Sequence, residues 1–406
     1  MSIQQNFPAI SPSLSLNFAR SKTLDPRITF TRTSTATRVN GQGLIEVVGA
    51  NTPRFDHKYE NGVVKSLGLL VEEARTNSLY YSNDFSQNPP VGALQGWLKQ
   101  NSHPVPTQSV VGPDGVSNSG WRFYRTNTNQ YIYQQIAGAG THTLSAWVRS
   151  SAATGSFTMQ GYNGTDAGMS QQFTATNEWK RFSITISPTT TTNYYPCIPT
   201  NINTDFYVWG AQLELNGSFP TSYIPTTNST ATRTADIVSM VGENFSSWYN
   251  PNEGTFFTSF RQIYNASATI PGKTPHVLQA GNATTVNDNY TIRGGSSDTY
   301  WTALIRSASP SSLQFPGFNP YPYFNSTTQY KAALSVNSSL ISVSLNGLLN
   351  ADTVNTTTVN HTTQFNKLFI GSGTGGGPPY ELCGHISQLT YYPRRLSNEF
   401  LQNLTK

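Results

Sequence analysis

One stretch, Phe206 to Thr226, reading FYVWGAQLELNGSFPTSYIPT, limits the fold more than any other. Its first half, Phe206 to Leu215, sets aromatic and β-branched residues at near-alternate positions, so it predicts a strand with one buried face. Asn216-Gly217 stops that strand. Phe219-Pro220 and Ile224-Pro225 then exclude a continuing ladder, because proline lacks the N–H and drives its predecessor into extended backbone. A sheet ends and a domain closes here, with stretches of similar texture before and after it.

Charged residues make up only 11% of the 406, while Tyr and Phe reach 21 each beside abundant Ser, Thr, Asn and Gly. This is the composition of uncharged β-rich surfaces. The expected fold is all-β: an extended amino-terminal arm over residues 1–78, then two antiparallel β-sandwich (jelly-roll) domains over 79–228 and 229–406, closed by a short C-terminal helix. A net charge of +5 is small for this length and excludes no class of partner by itself; without clustered Lys and Arg, no nucleic-acid partner is expected. The two cysteines, Cys197 and Cys383, fall in different modules, so no disulfide framework is expected. The start MSIQQNFPAISPSLSL is not a charged-then-apolar leader, and no apolar run approaches the ~20 residues of a membrane helix. A soluble chain, without signal peptide or membrane insertion, is the expectation.

Charge is uneven. The first 40 residues hold Arg20, Lys22, Arg27, Arg32 and Arg38 against Asp25 alone, whereas residues 79–230 carry six basic and six acidic side chains. Those five cations are the candidates for anchoring the arm to a larger assembly. Short apolar pieces (Leu14 to Phe18, Ile28 to Phe30, Leu44 to Val48) alternate with turns at Gly41-Gln42-Gly43 and Asn61-Gly62. Such ribbons need a partner to bury their apolar positions, either the following domain or other subunits.

In the first module, Thr141 to Ser150 puts Leu144, Ala146 and Val148 on one face and Ser145, Trp147 and Arg149 on the other. Its aromatics matter most for chemistry. Binding a sugar requires flat apolar surfaces for the C–H side of a pyranose and amide or hydroxyl partners for its OH groups. Tyr131 and Tyr133, two apart in a predicted strand and flanked by Asn127, Asn129 and Gln130, share one face and are the leading candidates; Trp97, in a Gly/Pro-rich loop, is next. In the second module the aromatic clusters are Tyr300-Trp301 and the proline-stiffened run holding Tyr321 and Tyr323. Asn346-Gly347 predicts a tight turn and Ser397 the N-cap of the closing helix over Asn398 to Leu404.

Catalysis and metal binding find little to build on. A glycosidase needs two carboxylates ~5 to ~9 Å apart, and the second module's acids (Asp236, Glu243, Glu253, Asp288, Asp298, Asp352, Glu381, Glu399) are each isolated in sequence. No catalytic residue is assigned, and the chain is not expected to be an enzyme. The histidines form no His-x-His or His-x3-His pair, so no metal site is assigned. A Ca2+ ion held by Asp288, Asn287 and Asp298 is the one cofactor a loop could take, with a solvated polar loop as its default reading.

Several runs carry a family resemblance: Ile28-Thr-Phe-Thr-Arg-Thr-Ser-Thr-Ala-Thr-Arg-Val, Gly43-Leu-Ile-Glu, Asn51-Thr-Pro-Arg-Phe-Asp, Gly68-Leu-Leu-Val-Glu-Glu-Ala-Arg-Thr-Asn and Tyr81-Ser-Asn-Asp-Phe, followed by the WGAQLE and FPTSYIPT runs between Trp209 and Thr226. This series resembles a segment of tailed-bacteriophage structural proteins that precedes a carbohydrate-binding-module-like jelly roll. The order of Ser342-Val-Ser-Leu-Asn-Gly, Leu368-Phe-Ile-Gly-Ser and the run from Gly384 to Ser397 is similar to the concanavalin A-like lectin/glucanase jelly roll in its laminin-G-like form. The glucanase Glu-x-Asp-x-x-Glu pattern is absent from the sequence. The resemblance implies a virion protein, made in the host cytoplasm. It would be a tail fibre or capsid decoration anchored by its arm to other virion proteins, a homo-oligomer with a trimer favoured, displaying sandwiches that bind host surface glycan. A purely architectural protein and a glycan depolymerase are the alternatives.

Overall fold

The computed structural model describes residues 11–60, 62–89, 95–265, 274–282, 288–294, 301–306, 313–314, 325–338, 340–354, 364–373 and 381–406. It is built almost wholly of antiparallel strands, with a four-residue helix at Glu243–Ser246 and a closing helix at Asn398–Thr405. Ser397 caps the latter, its side chain accepting from the Phe400 N–H, as the sequence predicts.

Contacts group the chain into two compact units that do not follow the linear division at 78 and 228. The first comprises residues 1–33, 50–73 and 235–406; the second comprises 34–49 and 74–234. The chain therefore passes between units four times. The apolar positions of the amino-terminal segment find their partners within the chain: Leu14, Leu16, Phe18, Ile28, Phe55, Leu69 and Val71 lie in the core of the first unit, while Ile45 packs with Trp209 and Tyr223 in the second. The polar stretch from Thr226 to Thr234 also differs from a plain linker, since Ala231–Arg233 pairs with Arg75–Asn77.

In the first unit one sheet runs Leu348–Val354, Leu340–Leu345, Tyr330–Val336, Gly254–Gln262, Gly384–Tyr392, Val63–Val71, Phe55–Glu60, and Leu14–Leu16 also pairs along Gly384–Tyr392. The other runs Thr29–Thr31, Ile237–Val241, Lys367–Ile370, His276–Gly281, Asn289–Gly294, Trp301–Arg306, Leu313–Gln314. Asn346 and Gly347, at φ of 46° and 80°, make the tight turn the sequence predicts. Where three of the four crossing segments meet the first unit, charge is buried. Arg32 donates to Asp236 at 3.0 Å and Arg54 to Glu72 at 2.6 Å; Arg54 also pairs with Asp236, and all four residues are at most 1% exposed. Burial alone would lower the Arg54 pKa, but Asp236 and Glu72 hold it above the ordinary arginine value.

The second unit packs two five-stranded sheets around a single core. One runs Lys180–Ile186, His142–Ser150, Phe206–Leu215, Gly120–Phe123, Thr107–Val110, and carries the tryptophan face on its outer side. The other runs Ser170–Thr176, Thr154–Tyr162, Thr192–Pro199, Tyr131–Ile136, Leu98–Gln100, and carries the tyrosine face. Leu144, Ala146 and Val148 point into the core as predicted, all fully buried.

Phe206–Leu215 departs from its predicted single buried face: eight of its ten residues are buried. The cause is its own continuation. Gln212 Oε1 accepts from the Ile224 N–H at 2.7 Å, and Glu214 accepts from the Thr221 N–H at 2.9 Å, so the outward amide and carboxylate of the strand tie down the proline-rich return. That return lays Tyr223 against Trp209, ring centroids 4.6 Å apart, and against Trp147. The WGAQLE and FPTSYIPT runs are thus one device, a strand and its strap.

Candidate glycan-binding face

The tyrosine face is set by register. In Tyr131–Ile136 the side chains of Ile132 and Gln134 turn inward and are buried, which leaves Tyr131, Tyr133 and Gln135 outside. Gln135 stands opposite Asn193 on the next strand, and its Nε2 donates to Asn193 Oδ1 at 2.9 Å. Two residues on, Tyr195 lies between the two predicted tyrosines. Its ring centroid is 5.1 Å from that of Tyr133 and 5.7 Å from that of Tyr131, the second pair edge-on. One strand further, Gln160 stands opposite Tyr195, and Tyr162, 52% exposed, stands opposite Asn193. Three strands therefore present four phenols and three amides on one surface.

The physical state of these groups suits polar recognition. Burial raises the Tyr195 pKa, with the neighbouring Tyr133, Tyr131 and Tyr162 adding to the shift, so the phenol stays protonated and can donate as well as accept. Not one Asp or Glu occurs in the five strands of this sheet, and Lys99 is their single charged residue. Lys99 stands opposite Ile132, on the inward register, and donates to Ser86 and Trp97 carbonyls.

The sequence-predicted residues divide sharply. Tyr131 and Tyr133 are half-buried on the common face. Asn129 is exposed in the turn before them, where its carbonyl accepts from Asn101 Nδ2 at 2.7 Å. Trp97 is not a platform: it is fully buried, 4.7 Å from the Phe85 ring, with Nε1 donating to the Tyr81 carbonyl at 3.0 Å. A loop rich in Gly and Pro looked exposed because its core contact, Phe85, is distant in pattern. Trp301 is likewise core, 3% exposed and edge-on to Phe260 at 4.6 Å. Tyr300, Tyr321 and Tyr323 lie outside the described residues, as do Asn287 and Asp298 of the calcium reading; Asp288 is buried. Among the described residues no group of three His, Cys, Asp or Glu could hold a metal ion.

Of the amino-terminal cations, Arg20 and Lys22 are exposed. Arg27 is paired with Asp25 at 2.8 Å and Arg38 with Glu46 at 2.6 Å. Arg32 cannot reach a partner molecule, because it is buried against Asp236. Sequence reasoning missed Tyr162, Tyr195, Gln135, Gln160 and Asn193 as a set. Each sits at an outward position of its strand, yet nothing local says that these strands are neighbours.

No protein-family model matches the chain, and no curated protein matches its sequence. Among solved structures the chain is similar to the Ruminococcus gnavus IT-sialidase CBM40 bound to alpha2,3 sialyllactose, at 16% identity and a TM-score of 0.33 over 40% of this chain and 88% of that one. It is similar to the leech intramolecular trans-sialidase at 17% identity and a TM-score of 0.30, over 38% and 23%. The NanB sialidase from Streptococcus pneumoniae gives 12% identity and a TM-score of 0.34, over 41% and 26%. Scores this low decide nothing about the site, which is read from its own residues.

Proposed function

We propose that this protein is a non-catalytic glycan binder, and that the tyrosine face is where an uncharged saccharide docks. The observation that carries the reading is the row Tyr131, Tyr133, Tyr195 and Tyr162 beside Gln135, Gln160 and Asn193 on a sheet without acids. Half-buried Tyr131 and Tyr133 and exposed Tyr162 supply apolar area for sugar C–H groups, the buried Tyr195 backs them, and amides and phenols supply donors and acceptors for hydroxyls. Glycosidic cleavage by the usual route needs two carboxyl groups flanking the bond, and these strands hold none.

The sequence resemblance extends the proposal to biology. The chain would be a virion component of a tailed phage, a fibre or outward-facing decoration assembled with other virion proteins as a homo-oligomer, a trimer by that resemblance. A shallow platform binds weakly alone, and many copies on one particle would supply avidity.

The test is a glycan array with the purified protein and its Tyr133→Ala variant, followed by titration of the best ligand. Expected is binding to an uncharged oligosaccharide, weakened about 10-fold by the loss of one stacking ring. Binding unchanged in both Tyr133→Ala and Tyr162→Ala would remove the site. Loss of self-association in those variants, with no glycan bound by the parent, would show the face to be a subunit contact instead.

A further inference from the structure

The tryptophan face carries a second arrangement, of different chemistry. Across Gly120–Phe123, Phe206–Leu215 and His142–Ser150 the outward residues Arg122, Tyr207 and Arg149 stand directly opposite one another, since Tyr207 pairs with both arginines. The Arg149 guanidinium lies 5.0 Å from the centre of the Tyr207 ring and 5.4 Å from that of Trp179. Trp179 spans the sheet to reach this row. A Cβ on Gly120 would come 2.8 Å from its Cζ2, so only glycine lets the indole lie there, and its Nε1 donates to the Val111 carbonyl at 3.0 Å. Arg122 sits 4.2 Å over the Tyr124 ring and pairs with Asp205 at 2.9 Å.

Arg149 differs from the other arginines of this sheet. Arg122 has Asp205, and Arg181 donates to the Thr221 carbonyl and to Ser145 Oγ. Arg149 has rings beside it but no acceptor among the described residues; its Nε, like that of Arg181, is buried without a hydrogen-bond partner. A guanidinium fixed by flanking rings has already lost the freedom that binding would otherwise cost, and its N–H edge matches a carboxylate in bidentate fashion. Two guanidiniums and the Asp205 carboxylate leave one net positive charge on the row. That suits a ligand with a single acid group per residue; a dense polyanion would face repulsion from Asp205. The carboxylate of Asp205 can also accept from hydroxyls, while Trp179, Tyr207 and Tyr124, all half-buried, offer ring surface.

We propose that the row Trp179, Arg149, Tyr207, Arg122 and Asp205 is a second saccharide site, selective for a sugar bearing a carboxylate, which Arg149 would hold. The site is separate from the tyrosine face and does not rest on it.

The experiment is titration of the full chain with oligogalacturonate and sialyllactose, each beside its neutral counterpart, the methyl ester or lactose. Expected is binding of at least one acid form at least about 10-fold tighter than its neutral counterpart, weakening as salt is raised. Arg149→Gln should abolish that preference, and Arg149→Lys, which keeps charge without the fork, should restore part of it. Tyr133→Ala should leave acid binding unchanged. The proposal is overturned if no acid form is preferred, if a folded Arg149→Gln binds as the parent does, or if Tyr133→Ala abolishes acid binding. It is overturned too if a short polyglutamate competes as well as the saccharide, since the face would then be reading acidic polypeptide.

Discussion

The two units use the same materials to opposite ends. In the first, most of the described aromatics are drawn inward, with Tyr59 an exposed exception: Phe260, Trp301 and Tyr330 pack together, and Tyr249, Phe365, Tyr290 and Tyr391 form a second interior cluster. In the second, an inner set around Phe85, Trp97, Phe157 and Phe206 fills the core. Further rings are then left over on both outer faces, half-exposed and grouped with amides on one side and arginines on the other. Charge does not follow the same division: the first unit buries Arg32 and Arg54 with Glu72 and Asp236, and the second buries Arg233 and Glu214, but the second also holds Arg149 half-buried among surface rings. A ring or a guanidinium says little about function until its burial and its partners are known.

The contrast makes graded predictions. The largest effect is expected for Asp236→Ala, which strands the buried Arg32 and Arg54; removing one partner of such a network costs about 3–5 kcal/mol. Denaturant unfolding measures it, and a loss under about 1 kcal/mol would show that these charges are not closely coupled to the fold. Trp301→Ala in the first unit and Trp97→Ala in the second should each cost about 3–5 kcal/mol as core cavities. Tyr133→Ala should stay within about 1 kcal/mol while weakening glycan binding. A Tyr133 variant as unstable as the Trp97 variant would erase the distinction between inner and outer rings.

A pH dependence is expected to belong to the second unit. Burial lowers the pKa of His103 and of His142 below the ordinary histidine value, so both fold as neutral rings. The unfolded chain then binds more protons as pH falls through about 6.5. Stability is fully present above that value and is lost progressively toward the lower folded-state pKa. Thermal unfolding at pH 7.5 and at pH 5 should show the transition lost at lower temperature in acid, and His103→Gln with His142→Gln should flatten the difference. The smallest effect is expected at the half-exposed Arg122–Asp205 pair, where Asp205→Asn should change stability by at most about 1 kcal/mol.

Much of this arrangement was open to reading along the chain. Strand Phe206–Leu215 has the predicted limits, the turns at Gly43, Gly62 and Gly347 take the positive φ that glycine permits, and Ser397 caps the closing helix. Tyr131 and Tyr133 share a surface because period-2 alternation is local geometry. Trp97 and Trp301 were misread for one reason: exposure depends on what covers a side chain, and Phe85 and Phe260 are not marked as their partners by any local pattern.

The sequence by itself determined the all-β class, most strand and turn positions, and which side chains share a face within a strand, because those follow from backbone sterics and alternation over a few residues. Tertiary structure alone decided that residues 14–77 serve two units, that Tyr195 and Tyr162 join Tyr131 and Tyr133, and that Arg149 meets Trp179 and Tyr207. The physical reason is strand pairing. Hydrogen-bonded ladders bring together segments up to hundreds of residues apart, and their order in a sheet is fixed by the joint burial of all strands, a quantity no single segment carries.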